Sequence, residues 1–284
     1  MKILLTDTTS PLGQALLYTL EREPYALLCP KDEVDWFDLE SVCAYLEQHK
    51  PALIINSLGW SEWADAECQQ LLIASARHLA KACAKVGGIP LQLSSYRIFG
   101  GEKKSCYEVD DRPSPLGVVG RAFWDAERFY GAALDKWLVL RLGWVFGVQP
   151  NNRLSNTLTQ LRDGQSVAAG SDYIGAPTTV LDAARVTVAI ARQVLCGADN
   201  WGTFQYVSGD VCSELEFAQL LASVLESEGE LKGAVVEPAE QEALQGSAVL
   251  SSQRVLEDFG IKPRVWRQGL TETVEQWLEM NAVV

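Results

Sequence analysis

The feature that most constrains this chain lies at its start. A short apolar run, Lys2-Ile3-Leu4-Leu5-Thr6, gives way to turn-forming side chains and then to a helical pattern from Pro11 to about Glu21. A strand buried on both faces reads as such a continuous apolar run, and proline suits the first turn of a helix. The unit then repeats. Apolar runs follow at Ala26–Cys29, Ala52–Ile55, Leu91–Leu93 and Trp137–Leu142, separated by helical patterns at 39–49, 66–86 and 115–134. Strand alternating with helix in this way predicts right-handed crossovers and an α/β fold with a doubly wound parallel sheet.

After Gly147 the rhythm changes. Helical patterns are expected at Leu154–Arg162, Val180–Leu195, 213–226 and 266–281, with a strand at Phe204–Val207. The expected organisation is a first domain over 1–147 and a smaller lobe over 148–284 with elements returning to the main sheet. The 284 residues are enough for a sizeable core, and 48% of them are hydrophobic against 21% charged, which excludes wholesale disorder.

A formal net charge of −13 without a basic run argues against nucleic acid as a partner, because phosphate-backbone binding needs a basic face. The seven cysteines (Cys29, Cys43, Cys68, Cys83, Cys106, Cys196, Cys212) are scattered and include no C-x-x-C pair; with only His49 and His78 beside them, no metal site is expected. No stretch reaches the roughly 18 apolar residues of a membrane span, and the expected location is cytoplasmic.

The first strand-to-helix turn reads Thr6-Asp7-Thr8-Thr9-Ser10-Pro11-Leu12-Gly13. Further along come Glu33-Val34-Asp35-Trp36-Phe37-Asp38, Ile55-Asn56-Ser57-Leu58-Gly59-Trp60, Leu93-Ser94-Ser95-Tyr96-Arg97-Ile98-Phe99 and Leu140-Arg141-Leu142-Gly143-Trp144-Val145-Phe146-Gly147. The second half adds Ile174-Gly175-Ala176-Pro177-Thr178 with Asp182-Ala183-Ala184-Arg185, and Gly202-Thr203-Phe204-Gln205-Tyr206-Val207-Ser208-Gly209 with Glu216-Phe217-Ala218. In this order and spacing the chain resembles the dTDP-4-dehydrorhamnose reductases of the extended short-chain dehydrogenase/reductase superfamily. That family reads G-x-x-G-x-x-G in the first turn, then L-D-I-T-D, N-A-A-A-Y, I-S-T-D-Y-V-F and L-R-T-S-W-V-Y-G. The resemblance implies a Rossmann-like dinucleotide-binding domain over 1–147 and a substrate lobe over 148–284.

The resemblance also implies NAD(P) as cofactor, held by Asp7, Ser10, Pro11, Leu12, Gly13, Lys31, Asp38, Leu39, Ser57, Leu58 and Gly59. It places a nucleotide-linked sugar against Trp144, Asn152 and Arg185. Asn151-Asn152-Arg153-Leu154 stands where relatives have G-N-N-F. The first turn departs from the pattern, since only Gly13 survives of three glycines and Asp7 brings a carboxylate toward the pyrophosphate position. Asp7, Thr8 and Ser10 also suit the cap of a helix, and the two readings are compatible. Dinucleotide binding is therefore expected to be weak or absent.

The family's proton donor is a Tyr with a Lys one helical turn on, in N-x-Y-G-x-S-K-x-x-x-E. Here Gly120 and Glu127 fix the register of Gly117-Val118-Val119-Gly120-Arg121-Ala122-Phe123-Trp124-Asp125-Ala126-Glu127, which puts Val119 at the Tyr position and Phe123 at the Lys position. Ser95 alone is retained. Tyr130 lies eleven residues beyond Val119, three turns along, and Tyr96 follows Ser95 on alternate sides of a strand; neither is expected to substitute. The apolar stripe Val119, Phe123, Ala126, Tyr130 is expected to collapse into the vacated cleft or to meet an apolar group. The resulting expectation is a non-catalytic relative that binds a nucleotide, a sugar nucleotide or a protein partner, with a homodimer among the expected assemblies. The alternatives are an NAD(P)H-dependent keto-sugar reductase with an altered proton donor, and an assembly module whose cleft binds nothing.

Overall fold

The computed structural model describes residues 1–239 and 246–282. The first half runs β1 (Lys2–Leu5), α1 (Pro11–Leu20), β2 (Ala26–Leu28), α2 (Leu39–His49), β3 (Leu53–Asn56), α3 (Ala66–Val86), β4 (Ile89–Ser95), α4 (Gly117–Ala133) and β5 (Leu138–Leu142). The second half continues with β6 (Trp144–Phe146), α5 (Arg153–Arg162), β7 (Val167–Ala169), β8 (Tyr173–Gly175), β9 (Pro177–Thr179), α6 (Val180–Leu195) and β10 (Gly202–Tyr206). It closes with β11 (Cys212–Ser213), α7 (Glu214–Ser227), β12 (Val236–Pro238), β13 (Gly246–Ser247), α8 (Gln253–Phe259) and α9 (Leu270–Met280).

Six strands form one sheet in the order β10-β5-β4-β3-β1-β2, and every neighbouring pair is parallel. Strand order reverses between β1 and β3, because β2 lies on one side of β1 and β3 on the other. In an open α/β sheet that reversal opens a crevice at the carboxyl ends of the two strands, where no crossover covers them. Helices α2, α3 and α4 pack against one another, and α1 packs against α6. Strand β10, from the second half, pairs with β5 and extends the sheet. The remaining short strands form small separate sheets, β11-β8-β13, β12-β7 and β6-β9.

The central strands are apolar throughout because both faces are covered: β1, β3 and β5 bury Ile3–Leu5, Leu53–Ile55 and Leu138–Leu142. Arg141 is the charged exception. Its guanidinium pairs with Glu127 of α4 at 2.8 Å, both side chains 4% exposed, and donates a further bond to the Val109 carbonyl. Ser94 Oγ donates to Glu127 Oε1, so the acid is held by two partners and the ion pair joins α4 to the sheet. All seven cysteines are free thiols. Among the described residues no helix is long and apolar enough to cross a membrane, and no group of three or more His, Cys, Asp or Glu side chains is placed to hold a metal ion.

Candidate active site

A cavity of about 480 Å³ opens where the strand order reverses, bounded by the turn after β1, the loop after β3 and the segment from Val145 to the first turn of α5. Asp7, Ser10, Pro11, Leu12, Leu58, Gly59 and Asn152 line it, as do Trp60, Glu62, Trp63 and Arg153. Gly13, Lys31, Asp38, Leu39, Ser57, Ser95, Val119, Phe123, Trp144 and Arg185 do not.

The turn after β1 is held by its own acid. Asp7 Oδ1 accepts hydrogen bonds from Thr9 N (2.8 Å), Thr9 Oγ1 (2.8 Å) and Ser10 N (3.3 Å), while Ser10 Oγ lies in a very short contact with Asp7 Oδ2. The Ser10 hydroxyl in turn accepts from Gly13 N at 3.1 Å and caps α1, with Pro11 in the first helical turn. Backbone N–H groups at such a turn ordinarily receive an anion from a ligand. Two of them here receive the carboxylate of the same loop. The cap and the altered turn thus coexist. Gly13 supports the arrangement by closeness: a Cβ there would stand 2.5 Å from the Asp7 carbonyl oxygen and 2.9 Å from Asp7 Oδ2. Gly59 is needed for a second reason: its φ is +66°, and a Cβ at this position would fall only 2.2 Å from the Cys68 carbonyl oxygen.

The residues expected along the outer part of the cleft serve the fold. Asp38 caps α2 through bonds from Glu40 N and Ser41 N, Leu39 is the first residue of that helix, and Lys31 is exposed in a single 3₁₀ turn. Ser57 is buried, its N–H bonded to Thr6 Oγ1.

On α4 the apolar stripe is packed: Phe123, Ala126 and Tyr130 are fully buried and Val119 rests against the core half-buried. The Phe123 ring meets Trp60 edge-on, with centroids 6.3 Å apart and planes at 63°. Trp60 Nε1 donates to the Ser94 carbonyl at 3.0 Å, which latches the indole across the end of β4. Trp60 therefore faces the cavity while Phe123 lies behind it. Burying a phenyl group in this way contributes about 2–3 kcal/mol. Ser95 is also fully buried, its Oγ accepting from Arg97 N at 3.3 Å. Ser95, the one retained catalytic position, and the replacements Val119 and Phe123 thus do not line the cavity.

At the α5 end Asn152 is the N-cap. Its Oδ1 accepts from Leu154 N and Ser155 N, and its Nδ2 donates to the Gly147 and Gln149 carbonyls. Trp144 is buried against Gly175, where a Cβ would be 2.1 Å from the indole. Arg185 is bound to Asp182 at 2.6 Å and to the Tyr206 hydroxyl at 3.1 Å, a contact between α6 and β10. These three expected substrate residues are structurally committed, and only Asn152 reaches the cavity wall.

A polar cluster unforeseen from the sequence occupies this end instead. Glu62 Oε1 accepts from Val145 N at 2.9 Å and Oε2 from the Tyr96 hydroxyl at 3.2 Å; the Tyr173 hydroxyl lies 3.4 Å from that of Tyr96. Burial pushes the Glu62 carboxyl above its ordinary value, opposed by the nearby Arg153 and Arg97 guanidinium groups. Burial, followed by the charge of Glu62, pushes the Tyr96 phenol well up. Arg153 pairs with Glu214 of α7 and stacks 4.3 Å from the Trp144 ring centroid. The usable signal was departure from the family pattern: Tyr96-Arg97 stands where the pattern has Asp-Tyr, and Arg153 where it has Asn.

The parallel sheet, the reversal at β1/β3 and the cleft above it define a Rossmann-like protein of the extended short-chain dehydrogenase/reductase class. The family described as RmlD substrate binding domain matches residues 1–279, and the chain belongs to it. It is 24% identical over 284 residues to a dTDP-4-dehydrorhamnose reductase of Aggregatibacter actinomycetemcomitans, covering 95% of this chain and 97% of the relative. It is 27% identical over 283 residues to the dTDP-4-dehydrorhamnose reductase of Streptomyces griseus, covering 95% and 92%. Among solved structures, a dTDP-4-dehydrorhamnose reductase of Clostridium acetobutylicum superposes with a TM-score of 0.82 at 23% identity, covering 97% of this chain and 99% of that one. The Bacillus anthracis enzyme in complex with NADP gives 0.78 at 21% identity, covering 97% and 98%.

Proposed function

We propose that this chain binds a nucleotide or sugar nucleotide in the β1/β3 cleft without reducing it. The observation that carries the reading is that Phe123, packed edge-on against Trp60, and Ser95 are both fully buried, and that neither they nor Val119 line the cavity. Neither Val119 nor Phe123 can give up a proton or hold a ribose hydroxyl. The Asp7 carboxylate on the turn N–H groups supports weak dinucleotide binding, since an incoming pyrophosphate meets a resident anion. NADPH mixed with a dTDP-linked 4-keto-sugar and the full chain is expected to lose absorbance at 340 nm no faster than the protein-free control. Steady turnover overturns this reading.

The second reading, NAD(P)H-dependent reduction of a nucleotide-linked keto-sugar with an altered proton donor, is supported by the relatives named as reductases. On this reading the proton comes from the Tyr96 and Glu62 pair, whose carboxyl group lines the cavity at the end away from Asp7. Turnover that Glu62→Gln abolishes would establish it. A homodimer or protein complex built on α4, where Leu116 and Val118 are exposed, belongs to the first reading. Sedimentation over a wide concentration range tests that part, and a persistent monomer that retrieves no protein partner removes it.

A further inference from the structure

Helices α3 and α4 lie side by side on the sheet, and both run the same way because each joins two neighbouring parallel strands, β3 to β4 and β4 to β5. Packing against the sheet, α2 and α4 leaves α3 a narrow outward line. Past its first turn the charged residues on that line are Arg77, Lys81 and Lys85, all exposed and one helical turn apart. On α4 the exposed charges are Arg121, Asp125 and Arg128. Arg128 has Asp125 at 4.0 Å, whereas among the described residues Arg77, Lys81, Lys85 and Arg121 form neither a salt bridge nor a side-chain hydrogen bond. A basic face thus stands on a chain whose formal net charge is −13. Beside it Leu116 and Val118 are 69% and 65% exposed, and Trp124 is half-buried. Val118 and Arg121 are three residues apart, so apolar and basic groups share one side of α4.

Charge and chemistry together choose the occupant. An isologous contact between two copies would set the stripe against itself, like charge on like charge. A nucleic acid or an anionic bilayer carries its negative charge well beyond the face, where the rest of the chain is strongly acidic and repels it. The footprint of a protein is bounded. An acidic patch of ordinary interface size can cover the stripe while Leu116, Val118 and Trp124 meet its apolar side chains, and protein interfaces favour such a mixture of arginine, aromatic and aliphatic groups.

We propose that the outer face of α3 and α4 docks an acidic patch of a different protein, with Arg77, Lys81, Lys85 and Arg121 as the charged contacts and Val118 as the apolar one. The inference rests on the reading that α4 takes part in a protein complex, and it names the chemistry of the partner. Carbodiimide coupling of the full chain in a lysate of its native cell tests it, because the reagent joins a lysine amine to a carboxylate in direct contact. Mass spectrometry is expected to find Lys81 and Lys85 linked to Asp or Glu residues of one other protein. The yield should fall as salt rises from about 0.1 M to about 1 M, over which the screening length shrinks from about 10 Å to about 3 Å. Arg77→Glu/Arg121→Glu keeps both lysines and breaks no ion pair, and should lower the yield at least ~10-fold by setting like charges against the partner. Should that variant unfold, Arg77→Gln/Arg121→Gln removes the two charges without reversing them and should also lower the yield. Equal coupling in a folded variant, links that join only copies of this chain, or co-sedimentation with phosphatidylserine vesicles that the variant loses, overturns this inference alone. A wild type that couples to no protein and sediments as a monomer at every concentration overturns it together with the reading of a complex, and leaves ligand binding in the cleft to its own test.

Discussion

The two ends of the cavity treat anions in opposite ways. At the turn after β1, backbone N–H groups that suit a ligand's phosphate hold Asp7 instead, so the anion site is filled from within the chain. At the other end, Arg153 in the first turn of α5 and Arg97 in the turn after β4 each keep a buried Nε–H that no acceptor reaches. Between them, the Trp60 ring on the cavity wall packs edge-on against buried Phe123. The cleft thus sits where strand order puts it, while the satisfaction of its polar groups differs from one end to the other. Position is set by strand order, whereas demand is set by a few side chains on loops.

The comparison breaks most visibly at the far end. Arg153→Met leaves Glu214 without its cation, at a site where the two side chains are 9% and 18% exposed. Removing one partner of a buried pair costs about 3–5 kcal/mol, so the urea midpoint should fall markedly. The double variant Arg153→Met/Glu214→Gln should recover most of that loss. If single and double variants are equally unstable, the pair is not what holds this end together.

At the near end the expected change is one of affinity. Asp7→Gly removes the resident carboxylate and frees the Thr9 and Ser10 N–H groups. Freed charge-assisted bonds predict a gain of roughly 10- to 100-fold in NADPH affinity, read as energy transfer from the tryptophans to the bound nicotinamide. An unchanged or weaker affinity would mean that Asp7 is not the obstacle and that the wall at Phe123 decides binding by itself.

The fold was legible because buried parallel strands impose apolar runs, continuous in β1, β3 and the start of β5 and interrupted in β4 only by Gln92 between Leu91 and Leu93. The short strands β7, β8 and β9 and the helix α8 left no such trace, being too brief for a period to show. At the site, the capping turn at Asp7 and Ser10 and the buried stripe Phe123, Ala126 and Tyr130 were readable, the first from residue types that cap helices and the second from helical spacing. Lys31, Asp38, Leu39, Ser57, Trp144 and Arg185 were placed by resemblance, and the cavity does not include them. Glu62 and Trp63 come from the loop after β3 and Arg153 from the first turn of α5, which the fold brings together, with eighty-three residues separating Glu62 from its partner Val145. No local pattern could have joined them.

The smallest expected effect distinguishes the two ends by pH. Glu62 is buried, and its carboxyl is raised above the ordinary 4.5 first by burial, with Arg153 and Arg97 acting against that shift. A carboxyl raised in the folded state favours the protonated form there. Its contribution to stability is fully present below the unfolded value and is lost as pH rises through the folded value. Glu62→Gln keeps an oxygen for the Val145 N–H but does not titrate. The variant should therefore gain on the wild type from about pH 4.5 upward, by at most about 1.4 kcal/mol per pH unit, and the gap should level off above the folded value. Urea unfolding of both proteins across this window measures the gap. A difference independent of pH would mean that the Glu62 carboxyl is not raised in the folded state, and that Arg153, Arg97 and its two hydrogen bonds offset the cost of its burial.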